Sequence, residues 1–419
     1  MIRRFTCSNF RNIEVEDLAF GRINLLIGPN NAGKSNFIRA LSFSANMVNH
    51  AGKDTISGFL AEVQRNGSSA ICRRGGHDEQ VSLKWRIALK EEEVDYSLVF
   101  QPGSDENGPF IKKEAVDSAK IIPGKKRPFN FFLFHDEKAG YGMFSTARKK
   151  GKLNKRKHVL ADQDESALLQ FDRLVLQNRD LIEHSYVSKD LFGMLEEMRA
   201  YFSKFYAYMS SKFDLDKVRQ LQDPNGNGNF LAKDGSNFLN VYRQACRSDP
   251  DFETRFFAKM QALITDLTEI RIVEGLDKIG MKLFMGQESY LLSEVSDGTI
   301  EALLLALLTS MPQKQAPTLL AIDEPEVNLH PAWQAVLAKW LQMSGNFKQC
   351  FISTHSSDLL DAFTEGFRDG AVDIFVYDQM GRNTFRPLDR ERVNDELEKG
   401  WLLGDLYRVN DPSIGGWPW

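Results

Sequence analysis

Gly28-Pro29-Asn30-Asn31-Ala32-Gly33-Lys34-Ser35 fits G-x-x-x-x-G-K-[ST] without a mismatch, and this octet restricts the chain more than any other stretch in it. Such a loop works between a buried strand and a helix N-terminus, because its backbone N–H groups must converge on phosphate oxygens. The flanks supply both elements. Arg22-Ile23-Asn24-Leu25-Leu26-Ile27 reads as a buried strand, and Asn36 to Phe43 has the spacing of an amphipathic helix. In and beside the loop, Gly28, Asn30, Asn31, Ala32, Gly33 and Asn36 are candidates for the phosphate cradle. Lys34 supplies a point charge for the outer phosphates, and the Ser35 hydroxyl is placed to ligate Mg²⁺. The octet therefore predicts binding of ATP or GTP.

At 419 residues the chain is long for a single core, so two or three domains, or one domain with a large insertion, are expected. With 42% hydrophobic and 26% charged residues it belongs with globular rather than disordered chains. A net charge of −4 gives no whole-protein attraction to nucleic acid, so any such surface has to be a local patch. Cys7, Cys72, Cys246 and Cys350 stand singly, which indicates neither a zinc site nor a disulfide framework. The N-terminal residues carry no apolar run suited to a signal peptide, and Ile300 to Leu308 is too short to cross a bilayer. A cytoplasmic protein without a membrane partner is expected.

Phe5 to Ile13 and Val15 to Phe20 read as a hairpin entering the Ile23–Ile27 strand. Val81 to Ala88 and Val94 to Phe100 alternate as a second antiparallel hairpin. Between Gln101 and Ala161 the pattern breaks down, and the stretch 112–158 is rich in Lys and Arg with Phe129, Phe131 and Phe132 nearby. Such a mixture suits a nucleic-acid backbone or a solvated insertion loop. From Glu165 to about Phe213 the sequence reads as helical, with Leu191, Leu195, Met198, Phe202, Phe205 and Met209 forming a short heptad-like stripe. A Gly/Asn loop from Asp223 to Asn229 follows, then a helix capped by Ser236 or Asn237, and a helix from Asp251 to Leu267. Strands are expected near Ile270–Val273 and Lys282–Met285.

Three further pieces carry chemistry. Val295-Ser296-Asp297-Gly298-Thr299 precedes the apolar run from Ile300, and a Ser hydroxyl, a glycine and a helix N-terminus make a second anion site. Thr318 to Ile322 is an apolar strand that ends in Asp323-Glu324-Pro325-Glu326. Parallel strands deliver such acids to the ligand edge of a sheet, where Asp323 suits the organisation of Mg²⁺ and Glu324 the polarisation of an attacking water. Gln349 to Ile352 is another strand, ending in Ser353-Thr354-His355-Ser356.

The order of these pieces resembles that of RecF-like and SMC-like ABC-type ATPases, within the OLD-like AAA group found in bacterial anti-phage systems such as Septu and PARIS. The resemblance implies an α/β fold: an ABC-type P-loop NTPase domain of mixed and parallel sheet flanked by helices, with an inserted helical lid. It divides the chain into an N-terminal lobe (1–100), a basic irregular insertion (101–161), a helical lid (162–275), a C-terminal lobe (276–378) and a tail (379–419). It makes Arg11 a neighbour of the base or phosphates, Ser296 and Gly298 the signature that meets nucleotide held by a second copy, and His355 the switch contact to the γ-phosphate. Asn328-Leu329-His330-Pro331 then resembles a D-loop at a dimer seam. ATP and Mg²⁺ are the implied cofactors, and a head-to-tail dimer or higher oligomer the implied assembly. The glutamine that such sites use as a γ-phosphate sensor has no motif here, and Gln163 is its candidate position. Too few residues follow His355 for a TOPRIM nuclease domain, so hydrolysis of ATP is expected without cleavage of nucleic acid. Two roles follow: a nucleotide-gated switch that controls a separately encoded effector, or a recombination or repair ATPase that grips DNA through 112–158. Replacing Lys34 by Ala is expected to abolish nucleotide binding, as read by titration with a fluorescent ATP analogue.

Overall fold

Strict alternation in Val81-Ser82-Leu83-Lys84-Trp85-Arg86-Ile87-Ala88 gives a strand with one buried face, whereas Ile23-Asn24-Leu25-Leu26-Ile27 is buried at every position. Those two patterns mark two kinds of sheet. The computed structural model describes residues 1–50, 57–67, 70–72, 80–103, 108–121, 126–136, 139–145, 156–177, 189–275, 277–378 and 384–415. Along them run β1 (Ile2–Phe10), β2 (Ile13–Ala19), β3 (Ile23–Ile27), β4 (Val81–Ala88), β5 (Glu93–Gln101), β6 (Phe110–Ser118), β7 (Asn130–Phe134), β8 (Tyr141–Ser145) and β9 (Arg156–Leu160). The C-terminal half adds β10 (Phe205–Met209), β11 (Leu267–Glu274), β12 (Ile279–Met285), β13 (Glu288–Leu291), β14 (Leu319–Asp323), β15 (Gln349–Thr354) and β16 (Val372–Tyr377).

The chain divides into two compact units, the first made of Met1–Phe20, Asn36–Phe205 and Asp378–Arg386. Its eight-stranded sheet has the order β2-β1-β4-β5-β6-β7-β8-β9, and neighbouring strands pair antiparallel. The expected hairpins are its first four strands. The stretch 101–161, expected to be irregular, instead continues the meander as β6 to β9. Its strands escaped the sequence reading because β7 to β9 are only five residues long and Phe131 and Phe132, adjacent in sequence, are both buried, which erases alternation. Among the basic residues of this stretch, Lys113 pairs with Asp136 at 2.8 Å and Lys112 donates to Gln80 Oε1 at 2.9 Å. Arg148 through Lys155 lie outside the described residues.

Aromatic packing closes the inner face of the sheet. Trp85 stacks on Tyr96 with centroids 5.6 Å apart, meets Phe5 at 5.5 Å and takes the edge of Phe202 at 6.2 Å. Phe202 comes from the helix Lys189–Ser203, in which Leu195, Met198 and Phe202 are fully buried, as the heptad-like stripe predicts. The helix stops there. Phe205–Met209, expected to extend the stripe, forms β10, and the passage from the first unit to the second falls at Phe205/Tyr206, inside the 162–275 range. The expected helix cap at Ser236 or Asn237 falls on Asn237, although its side chain makes no cap bond.

Glu114 ties sheet to helix within the first unit. This fully buried carboxylate accepts from Tyr96 Oη (2.9 Å), Ser166 Oγ (2.8 Å), Ala167 N (2.6 Å) and Leu168 N (3.1 Å). It thereby satisfies the open N–H groups of the helix Ala167–Gln177 from a strand some fifty residues earlier.

The second unit comprises Gly21–Ser35, Tyr206–Tyr377 and Pro387–Trp419. Its strands run in the order β10-β14-β15-β3-β16, with β14, β15, β3 and β16 parallel. A separate antiparallel sheet, β11-β12-β13, includes both strands expected near residues 270 and 282. The helix Asp297–Ser310 is buried at every position from Thr299 onward, so its apolar run is a core helix. No helix among the described residues is long and apolar enough to cross a membrane.

Glu114→Ala takes the acceptor from the buried donors Tyr96 Oη, Ser166 Oγ and Ala167 N, and is expected to destabilise the protein by about 3 kcal/mol in denaturant melts.

Candidate functional site

Parallel pairing sets three chain exits side by side. Ile27 is level with Thr354 and with Val376, and Asp323 is level with Ser353. Since β15 lies between β14 and β3, the glycine octet, His355 and Glu324 all leave the same sheet edge.

The loop then turns back on itself. Ala32 N donates to Pro29 O at 3.2 Å, and Gly33 takes φ 99°, a value that a side chain would strain. Gly28 is needed for another reason, since a Cβ there would lie 2.8 Å from Tyr377 Cβ and 3.2 Å from Ala32 Cβ. Asn30 and Asn31 are exposed. Lys34 is buried, and its Nζ donates to Gly28 O (3.0 Å) and Pro29 O (3.3 Å) while lying 4.0 Å from Glu324 Oε1. Burial pulls the Lys34 ammonium below the usual lysine range, and Glu324, Asp323 and Glu326 pull in the opposite direction. A cation so placed is compensated by carbonyl oxygens and carboxylates that an anion can relieve.

Asp323 Oδ1 accepts from the Ser353 hydroxyl, and Glu324 N donates to Ser353 O at 3.0 Å. Glu324 has φ 52°, a left-handed conformation uncommon outside glycine and typical of functional turns. His355, half exposed, holds Nδ1 3.3 Å from Glu324 Oε1 and 3.5 Å from Glu326 Oε1. The structure thus brings Lys34, Asp323, Glu324 and His355 together. The Ser35 hydroxyl and the Asp323 carboxylate are hard oxygen donors of the kind that suits Mg²⁺, which takes one or two protein oxygens and completes its shell with phosphate and water.

The signature residues are organised by the D-loop-like segment. Ser296 caps the helix Asp297–Ser310, its Oγ accepting from Thr299 N at 3.3 Å. Gly298 lies so close to the Asn328 carbonyl that a Cβ would come within 2.7 Å of that oxygen. Asn328 Nδ2 in turn donates to Glu301 Oε2 at 3.0 Å, one turn along the same helix. Glu301 is fully buried, and desolvation pushes its carboxyl up to about 7.

Arg11 sits in the β1–β2 turn at φ 55° and donates to Asn66 O (2.8 Å) and to Asn36 Oδ1 (3.4 Å), with Asn36 also donating to Asn12 Oδ1 at 2.8 Å. Gln163 is engaged in the first unit, where its Nε2 donates to Ile111 O at 3.0 Å.

Several residues of the site were not identified from sequence. Glu326 is nearly fully buried, and its Oε1 accepts from Thr354 Oγ1 (2.7 Å) and His355 N (3.0 Å). Burial raises its carboxyl above the usual range against those donors. Ser356 caps the helix Ser357–Asp361 and donates to Gln334 Oε1 at 2.5 Å. The C-terminal helix Leu403–Arg408 packs on that same helix, with Arg408 bridging Asp358 and Asp361 at 2.9 Å each. From it the buried Tyr407 donates to Gly28 O at 3.5 Å. The position of Glu326 after an acidic pair was a readable signal; the approach of Tyr407, far away in sequence, was not.

A phosphate-loop lysine, an acidic strand end and a histidine strand end on one parallel edge define a P-loop ATPase of the ABC type. Residues 1–360 match the AAA_15 family, described as AAA ATPase domain, and the chain belongs to it. The fold resembles that of an SMC head solved bound to the C-winged helix domain of ScpA, with a TM-score of 0.54 at 11% identity, covering 94% of this chain and 99% of that one. In sequence it is 22% identical over 377 residues to endonuclease GajA of Bacillus cereus (strain VD045), covering 85% of this chain and 55% of that one. The chain thus spans about half the length of that curated relative.

Glu301 provides a pH test of the core beneath the signature. The folded state keeps its proton up to about pH 7, while the unfolded chain releases it near 4.5, so stability falls as pH rises between those values and then levels off. Glu301→Gln is expected to match wild type at pH 4.5 and to exceed it by on the order of 2 kcal/mol at pH 8, measured by urea unfolding.

Proposed function

We propose that this ATPase is a nucleotide-gated switch: ATP is held between the glycine octet of one copy and the signature of a second, and hydrolysis releases the pair. The observation that carries this reading is the Lys34–Glu324–His355 cluster at the end of β3, β14 and β15. Gly28, Asn30, Asn31, Ala32, Gly33 and the N-terminus of the helix Lys34–Leu41 cradle the phosphates, and Lys34 exchanges its loop carbonyls for phosphate oxygens. Ser35 and Asp323 would hold Mg²⁺, which would supply charge neutralisation for the phosphates. Glu324 orients and deprotonates the attacking water, and His355 donates to the γ-phosphate. Asn36, which follows Ser35 in the helix Lys34–Leu41, completes the cradle.

Head-to-tail pairing is favoured because Ser296 and Gly298 are built as an anion-ready helix start, held by Asn328 rather than by Lys34 or Glu324 of the same chain. Association with further proteins agrees with the neighbour that was solved bound to a ScpA domain. We assign the output to a separately encoded effector of an anti-phage system. The likeness to endonuclease GajA supports a role alongside nucleic-acid chemistry. DNA handling through 112–158 is the second reading; of its described lysines, Lys112 and Lys113 are already engaged within the sheet.

The test is steady-state ATP hydrolysis by wild type and Glu324→Gln, with and without double-stranded DNA at two salt concentrations. Glu324→Gln is expected to bind ATP normally, to lose at least about 100-fold in kcat and to accumulate as a dimer. Wild-type turnover in that variant would sink the assignment of Glu324. Stimulation by DNA that disappears at high salt would transfer the role to DNA handling.

A further inference from the structure

Glu326 is the carboxylate of the site that the reaction leaves without a task. It lies two residues past Glu324, is nearly fully buried, and has no phosphate-facing role in the scheme above. A buried carboxylate is costly unless its oxygens are used. One of them accepts two hydrogen bonds. Oε1 accepts from Thr354 Oγ1 at 2.7 Å and from His355 N at 3.0 Å, and lies 3.5 Å from His355 Nδ1. Every one of these contacts is to the end of β15, where the histidine leaves the sheet. Oε2 is buried with no hydrogen-bond partner among the described residues.

The ring of His355 is held through Nδ1. Its Nδ1 is hydrogen-bonded to Glu324 Oε1 at 3.3 Å, with Glu326 Oε1 alongside at 3.5 Å. A carboxylate that accepts from Nδ1 requires a hydrogen there, and in a neutral imidazole the other nitrogen is then the acceptor. Glu324 must change partners when it engages water, whereas Glu326 is fixed by the Thr354 hydroxyl and the His355 amide.

We propose that Glu326 is a positioning residue: it locks the main chain and the Nδ1–H tautomer of His355, so that Nε2 is the ring atom presented to nucleotide while Glu324 is free to act on water. This rests on the reading of Glu324 and His355 given above. In this assignment Glu326 acts through His355, as outer-shell carboxylates act on the histidines they orient.

The experiment uses the full chain with Glu326→Gln and Glu326→Ala, and Glu324→Gln in parallel. Glu326→Ala is expected to keep its ATP dissociation constant within about threefold while kcat falls about 10-fold or more, and Glu326→Gln, whose amide oxygen still accepts from Thr354 and His355 N, is expected to recover most of that loss. ¹⁵N-histidine spectra without nucleotide, assigned with His355→Gln, should report the Nδ1–H tautomer in wild type and a shift toward Nε2–H in Glu326→Ala. Unchanged turnover with an unchanged His355 tautomer overturns the proposal. So does a joint loss of ATP affinity and melting temperature without Gln rescue, which marks a packing role. If Glu324→Gln is inactive while both Glu326 variants behave as wild type, only this inference fails; if Glu324→Gln turns over normally, the reading of the hydrolytic site fails with it.

Discussion

A lysine ammonium buried at the start of a helix is the interaction on which the rest of the second unit depends. Lys34 has left water, and carbonyl oxygens of its own loop together with three carboxylates make that tolerable. Removing those acids from reach would leave an uncompensated charge, while removing the lysine would leave Asp323, Glu324 and Glu326 crowded at one sheet edge. The loop must also return on itself to offer Gly28 O and Pro29 O, which is why glycine is needed where Tyr377 and Ala32 close in. Charge balance and loop shape are thus one constraint. Binding an anion relieves it, and this is the physical basis of a phosphate site.

The parallel sheet turns that local balance into a functional edge. Three strands distant in sequence end level with one another, so chemistry carried by residues 28–35, 323–326 and 353–356 converges without any long side chain having to reach. Strain accompanies the convergence at Glu324 and Asn328, both left-handed. Their neighbours explain why it persists. Ser353 takes the Glu324 amide, and Asn328 is pinned between Gly298 and Glu301, so the backbone has little room to relax. The first unit solves a different problem by different means, using an antiparallel meander with an aromatic inner face and one buried carboxylate, Glu114, to start a helix.

Much of the site was legible from residue order because a phosphate loop is a local device: octet, flanking strand and following helix are contiguous. The acidic strand end and the Ser-Thr-His-Ser strand end were legible for the same reason, each being a short apolar run with its chemistry at the exit. Glu326 and Tyr407 were not. One looks like a third acid in a turn, the other like a tail aromatic, and only packing shows the first under His355 and the second against Gly28. The strands β7 to β9 were missed because each is only five residues long and because adjacent phenylalanines are both buried.

By itself the sequence determined the class of chemistry, since nucleotide phosphates can be cradled by few backbone patterns and the octet is one of them, followed by its acids and histidine in order. It also determined which strands lie at the centre, because a strand covered on both faces can be apolar at consecutive positions, as Leu25, Leu26 and Ile27 are in Ile23–Ile27. The tertiary structure decided which acid faces which partner, where the 162–275 range divides between two units, and that a basic stretch forms part of a sheet. Those outcomes depend on contacts between residues tens to hundreds of positions apart, whose energies are set by burial and by the completion of hydrogen bonds. Residue order alone carries no record of either.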